Sequence, residues 1–263
     1  MQEWTIHVPA PRSKMPRSHK SLSRLYVEGP LVAGLALPLG KDQSNYLISV
    51  MRLGLGDSVV LFNGRDGAWL AKITDPGKKH AILTPEVQTA HQTPVSDLWF
   101  GFAPLKVGRL DYLVQKATEM GAGIIQPVMT KFTQVKPPRA DKMLANAIEA
   151  AEQCEVLSIP RIAEEVTLEA LLMSWQRDHG LRRLVFADEG EQSHSPLHAL
   201  DNLRGLPIGI VIGPEGGFSD EERNLLHAQS FVVPISLGPR ILRADTAAVA
   251  ALAVLQASIG DWR

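Results

Sequence analysis

Between residues 24 and 87 the apolar positions come in short runs: RLYV (24–27), DSVVLF (57–62), AWLAKI (68–73) and HAILTPEV (80–87). The stretches between them carry turn formers: Gly54-Leu55-Gly56-Asp57, Asn63-Gly64-Arg65-Asp66-Gly67 and Asp75-Pro76-Gly77. Short apolar runs punctuated in this way predict β-strands joined by tight turns. One segment departs from the pattern. QSNYLISVMRL (43–53) spaces Tyr46, Leu47, Val50 and Met51 as one face of a helix. Together these features predict a small, mostly β barrel. The polar stretch TAHQTPVS (89–96), with Pro94 in it, reads as a linker.

After residue 96 the pattern changes to strands alternating with helices. DLWFGFAP (97–104) predicts a strand, and GRLDYLVQKATEMGA (108–122) an amphipathic helix ending at Gly121 and Gly123. IIQPVMT (124–130) reads as a strand, ADKMLANAIEAAEQC (140–154) and LEALLMSW (168–175) as helices, and RLVFAD (183–188) as a strand. LPIGIVIG (206–213) is a wholly apolar strand, followed by a helix that opens near Ser219. FVVPISLG (231–238) and ADTAAVAALAVLQASI (244–259) supply the last strand and the last helix. Continuous apolar strands alternating with helices predict an α/β domain whose parallel sheet is covered on both faces. The expected division is therefore 1–88 for a basic arm and β-barrel, 89–96 for the linker and 97–263 for the α/β domain.

Composition leaves this picture intact and charge adds to it. A single cysteine among 263 residues rules out an internal disulfide framework. No apolar run approaches membrane-spanning length, and the first 20 residues lack the apolar stretch of a secretory signal. Pro9, Pro11 and Pro16 also oppose the amphipathic helix of an organelle transit peptide, so a cytoplasmic protein is expected. The net charge of −1 conceals an asymmetry. Residues 1–80 hold 11 Lys/Arg against six Asp/Glu, a net +5, which leaves −6 for the remainder. A basic module joined to an acidic one points to a phosphate-bearing partner for the first.

Two loops carry the candidate chemistry. IGIVIGPEGGFSDEE runs from a buried strand into Gly213-Pro214-Glu215-Gly216-Gly217-Phe218, and Ser219 with Glu222 forms a capping box. The glycines let backbone N–H groups approach a ligand, and they equally suit a tight turn that needs positive φ. VVPISLGPRILRADTAA again ends a strand in Gly238-Pro239, then brings Arg240 and Arg243 before Asp245-Thr246. Ligands in parallel α/β sheets sit beyond the strand C-termini, so both loops point to one shared pocket. Arg240 and Arg243 suit anion or polar-base recognition, or a surface ion pair. Neither loop is a dinucleotide fingerprint or a P-loop. His194 and His198 lie four apart, but the intervening Pro196 argues against a helix and no metal cluster is completed. Cys154 reads as a packed residue rather than a nucleophile. The alanine-rich last helix suggests a crowded location or an interface.

Four segments in order, GRLDYLVQKATEMGAGIIQPVMT, AIEAAEQC, IGPEGGFSDEE and LGPRILRADTAAVAAL, resemble the RsmE family of SPOUT-class methyltransferases. The basic start is similar to that family's PUA-like RNA-binding domain, and the resemblance covers nearly the whole chain. It departs at Asn45-Tyr46-Leu47, where relatives usually carry His before Leu, at Asp245 where Glu is common, and in a longer arm before Arg24.

The resemblance implies a C-terminal SPOUT α/β domain with a trefoil knot, otherwise rare among folds. It further implies S-adenosylmethionine as cofactor, methylation of N3 of a uridine in 16S ribosomal RNA of the small subunit, and a homodimer. The cofactor is then expected at Ile212, Gly213, Pro214, Glu215, Gly216, Gly217, Leu237, Gly238, Ile241, Leu242, Thr246 and Ala247. Arg243 or Arg240 would hold the uracil carbonyls, with Glu215 or Asp245 as base or as structural partner. Glu149 and Gln153, one helical turn apart, either face the RNA or support the site, or are simply solvated. Arg12, Arg17, Arg24, Arg52 and Arg65 are the expected RNA contacts of the basic module.

Overall fold

The computed structural model describes residues 22–106, 108–136, 138–188, 190 and 195–262. Arg12, Arg17 and His194 lie outside the described residues. Contacts divide the chain into two compact units, one ending at Gln92 and the other beginning at Thr93.

The first unit contains β1 (Arg24–Tyr26), β2 (Leu37–Pro38), α1 (Lys41–Asn45), β3 (Ser58–Phe62), β4 (Ala68–Asp75) and β5 (Ile82–Ala90). Its five strands form one sheet in the order β1-β3-β4-β5-β2, parallel between β1 and β3 and antiparallel elsewhere. One apolar cluster, including Leu25, Leu47, Val59, Leu61, Ile73 and Leu83, fills its interior. The helix expected over 43–53 is interrupted. α1 passes into a single π turn (Tyr46–Val50), in which the Met51 amide donates to the Tyr46 carbonyl at 2.9 Å. Arg52 then takes φ 58°, a left-handed conformation unusual for a residue with a side chain. The β3–β4 turn is fixed by side chains. Asn63 Oδ1 accepts from the Asp66 amide at 2.8 Å, and Asp66 Oδ2 accepts from the Leu31 amide at 3.0 Å and from Asn63 Nδ2 at 2.6 Å. The Leu31 and Asn63 donors hold the Asp66 carboxyl below its ordinary value, with Arg65 assisting.

The second unit contains β6 (Leu98–Phe102), α2 (Arg109–Glu119), β7 (Ala122–Met129), α3 (Ala140–Cys154), β8 (Arg161–Ile162), β9 (Val166–Thr167), α4 (Leu168–His179) and β10 (Arg183–Ala187). It continues with α5 (Pro196–Asp201), β11 (Ile208–Ile212), α6 (Asp220–His227), β12 (Val232–Ile235) and α7 (Ala244–Ser258). The main sheet runs β12-β10-β11-β6-β7-β8, and every pairing in it is parallel. Period-two alternation splits each strand between two cores. Leu98, Phe100, Phe102, Val185 and Ile210 join α7 residues Ala248 and Leu252 on one face. Trp99, Leu184, Phe186 and Val211 join Trp175 of α4 and Leu226 of α6 on the other. The covering of both faces follows from that alternation. Ala248 and Ala251 of α7 serve intramolecular packing, both fully buried.

α5 begins at Pro196, where the amide that proline lacks has no partner anyway, so among the described residues no helix runs through that proline. One expectation is corrected. Cys154 is exposed rather than packed; local desolvation and the Glu119 charge push its thiol up. Among the described residues no helix is long and apolar enough to cross a membrane.

Candidate active site

β10 lies between β11 and β12, although it precedes both in the chain. Phe186 pairs with Val211 and Ala187 with Ile235, so the three strands end at one level. Beyond those ends lies a cavity of about 600 Å³. The first glycine loop lines it with Gly213, Pro214, Glu215, Gly217 and Phe218, and the second with Leu237, Gly238, Pro239, Arg240, Ile241 and Leu242. Ile212 and Ala247 contribute as well, so the two loops do share one pocket. Gly216, Arg243, Asp245 and Thr246 are not part of the lining but stand within one or two residues of it.

The glycines have different reasons. A Cβ on Gly213 would stand 2.8 Å from the Phe218 ring, so this glycine admits Phe218, which lies edge-on to Phe186 at 5.1 Å. Gly217 has φ 69° and closes a turn through its amide to the Pro214 carbonyl at 3.0 Å. Gly238 has φ 100°, yet a Cβ there would meet nothing within 4 Å. Its conformation is therefore demanded by the course of the loop beside an open space, not by packing. Ile241, 87% exposed, adds an apolar side chain to that space with no protein partner to bury it. Ser219 caps α6 and forms the capping box with Glu222 that the spacing predicts.

Four features have no signal in local spacing. Asp188, at the end of β10, lines the cavity with its side chain 2% exposed. It accepts from the Gly190 amide at 2.9 Å and contacts His227 Nε2 at 2.8 Å and Arg223 at 3.1 Å. Burial pushes the Asp188 carboxyl up, but the Gly190 amide, His227 and Arg223 outweigh it and hold it below its ordinary value. Arg109, at the start of α2, lies 3.8 Å from Glu215. Glu222 reaches beyond its own helix, where its Oε1 accepts from the Lys131 amide at 2.7 Å. The loop after β7 thereby lies against the glycine loop, with Phe132 beside Gly216.

Arg240 and Arg243 are exposed, and neither makes an ion pair with a described residue. Glu149 and Gln153 are also exposed, with Glu149 accepting from Gln115 at 3.5 Å. Of the expected RNA contacts, Arg24 packs its guanidinium 5.2 Å from the Phe62 ring centre, and Arg65 donates to the Glu28 carbonyl. Arg52 is exposed.

A two-faced parallel sheet with paired glycine loops at one cavity, joined to a small β unit, defines a class. Residues 91–256 match the family model described as an RNA methyltransferase domain, and residues 39–86 match one described as an RNA methyltransferase PUA domain. The chain belongs to the ribosomal RNA small subunit methyltransferase E family, RsmE. A relative of that name in Rickettsia conorii is 33% identical over 88% of this chain and 93% of its own length. A methyltransferase of Legionella pneumophila, solved with the cofactor SAM, is 30% identical with a TM-score of 0.77, covering 90% of this chain and 97% of that one. The ribosomal RNA small subunit methyltransferase E of Neisseria gonorrhoeae, bound to S-adenosylmethionine, is 25% identical with a TM-score of 0.74, covering 92% and 100%.

Proposed function

We propose that this chain transfers a methyl group from S-adenosylmethionine to N3 of a uridine in the 16S ribosomal RNA of the small subunit. The observation that carries the reading is the cavity itself. Two glycine loops expose backbone to it, Leu237, Ile241 and Leu242 give it apolar walls, and Arg240 stands on its lining. These residues fit the cofactor. Backbone of Gly213, Gly216, Gly217, Leu237, Gly238 and Leu242 would hold its polar groups, and the apolar walls would hold its adenine. The Legionella and Neisseria structures, each with the cofactor bound, support the assignment.

When bound, S-adenosylmethionine supplies an electrophilic methyl group for in-line displacement. The rest falls to this chain's side chains. Uracil N3 is a poor nucleophile until its proton leaves, and the resulting charge spreads onto the flanking carbonyl oxygens. Arg240 and Arg243, permanently charged and free of ion pairs with described residues, would donate to those oxygens and stabilise the charge. Asp245, two residues from Arg243, would accept the proton at its carboxylate. Glu215, held by Arg109, would fix the orientation of the loop.

The first unit, with its PUA match and the net +5 of residues 1–80, would bind the RNA backbone through residues such as Arg52. The same reading includes the family's knot and a homodimer. The insertion of β10 between β11 and β12 supports the first, and the partly exposed Val249, Ala250 and Ala253 on α7 support the second. With a ribosomal substrate, the work would be done in the cytoplasm.

Titration calorimetry with S-adenosylmethionine tests the pocket, and a chain that binds none overturns the reading. Mapping N3-methyluridine in small-subunit rRNA from cells with and without the gene tests the substrate. An unchanged map sinks the uridine and leaves the methyltransferase class standing. Arg243→Ala should abolish transfer while sparing cofactor binding.

A further inference from the structure

The turn between β7 and α3 presents a large aromatic side chain to solvent beside the cofactor loop. Phe132 is 42% exposed, although the turn that carries it is fixed by its own hydrogen bonds and by one from α6. The Thr133 amide donates to the Thr130 carbonyl at 3.0 Å, and the Thr130 amide donates to Thr133 Oγ1 at 3.1 Å. Glu222, 4% exposed, then ties the Lys131 amide to the base of α6. The side chain leans on the glycine loop. A Cβ on residue 216 would stand 3.3 Å from Phe132 Cβ and 3.7 Å from Cγ, so the two loops lie in close contact and glycine relieves the crowding there. Its neighbours Glu215 and Gly217 both line the cavity. Charged groups of both signs stand nearby, and Glu221 pairs with Lys131 at 3.1 Å. Lys131 Nζ lies 6.0 Å from the ring centre, and the exposed Lys136 makes no ion pair with a described residue.

A solvent-facing ring on a fixed turn contributes little to the core and stands ready for a planar partner. An unstacked nucleobase is the ligand such a ring suits, because every base has a π face, and Lys136, exposed on the same loop, suits its phosphate. An enzyme acting on a ring nitrogen must also hold its target base out of the stack. We propose that Phe132 is the stacking platform for the target nucleotide at the mouth of the cofactor cavity, a positioning role that rests on the RNA methyltransferase reading above.

The test uses the full chain with small-subunit RNA as substrate. Phe132→Ala should keep the wild-type affinity for S-adenosylmethionine and the wild-type oligomeric state, while kcat/KM for RNA falls by about tenfold to a hundredfold, the range expected for one lost base–aromatic stack. Phe132→Trp should retain most activity, and its emission should be quenched by RNA beyond the quenching seen in the wild type. Wild-type kcat/KM in Phe132→Ala, or equal loss in the Ala and Trp variants without added quenching, overturns the proposal. A change of oligomeric state in Phe132→Ala also overturns it, by showing that the ring serves a subunit contact. A stacking defect together with a methyl group mapped to another base would instead sink only the uridine assignment.

Discussion

Glu222 divides its carboxylate between two donors, and that division makes its replacement by glutamine severe. Oε2 accepts from the Ser219 amide at 2.9 Å and Oε1 from the Lys131 amide at 2.7 Å, both within a residue 4% exposed. Glutamine is isosteric but presents one oxygen and one NH₂ group. One of the two backbone N–H groups must then face another donor. Losing a hydrogen bond to a charged acceptor costs about 1.5–3 kcal/mol, and the Ser219 side is the more buried of the two. Glu222→Gln should therefore cost about 2 kcal/mol, and Glu222→Ala, which strands both amides, roughly 3–4 kcal/mol after partial rehydration of Lys131. For a unit of this size each kcal/mol shifts the melting midpoint by about 2–4 °C, so the Gln variant should melt about 4–8 °C lower. Ser219→Ala, by contrast, removes one 3.3 Å contact to the Glu222 amide and should cost only about 1 kcal/mol. Calorimetric melting of the three variants, with hydrogen exchange at the Lys131 amide, provides the measurement. A Gln variant within about 1 °C of the wild type, or one less damaged than Ser219→Ala, would refute the two-donor argument.

Gly238→Ala should cost little through contacts, since its Cβ meets no atom within 4 Å, but φ 100° excludes alanine. The loop must shift, and S-adenosylmethionine affinity should fall about tenfold with a stability loss near 1–2 kcal/mol. Unchanged affinity by calorimetry would show that the loop conformation is irrelevant to binding. Arg52→Gly should stabilise the first unit by about 1 kcal/mol, by relieving a left-handed residue. The same variant should weaken RNA binding and lower its salt slope by about one, measured by filter binding across salt concentrations. Asp66 has a depressed carboxyl, so its contribution is present above the unfolded-state value and is lost as pH falls through the folded one. Asp66→Asn should therefore destabilise the first unit at pH 7 and flatten its acid limb. Urea unfolding at pH 7 and at a pH below the folded-state value, followed by exchange at the Leu31 amide, would show this, and an equal loss at the two pH values would count against it.

What could be read from spacing is what spacing controls. α3 runs over the residues its helical period marked, and the Ser219–Glu222 box lies where a three-residue interval places it. The two glycine loops share a cavity because parallel strands of one sheet end at one edge. Topology has no such signature. That β10 inserts between β11 and β12 is not visible in three apolar runs, so Asp188 on the cavity wall could not be anticipated. Its partners Arg223 and His227 sit 35 and 39 residues away, on a helix legible only as a helix. Pro196 shows a different ambiguity. The same ring that breaks a helix interior opens a helix at its first turn, and only the observed boundary tells the two apart. Glu222 combines both cases in one side chain. One oxygen serves the amide three residues back, at an interval any reader of the sequence can find. The other serves an amide 91 residues away, and through it the loop bearing Phe132 is held against the glycines. Local rules thus expose half of this carboxylate's work, and the half they miss is the one that joins the cofactor loop to the proposed RNA-facing ring.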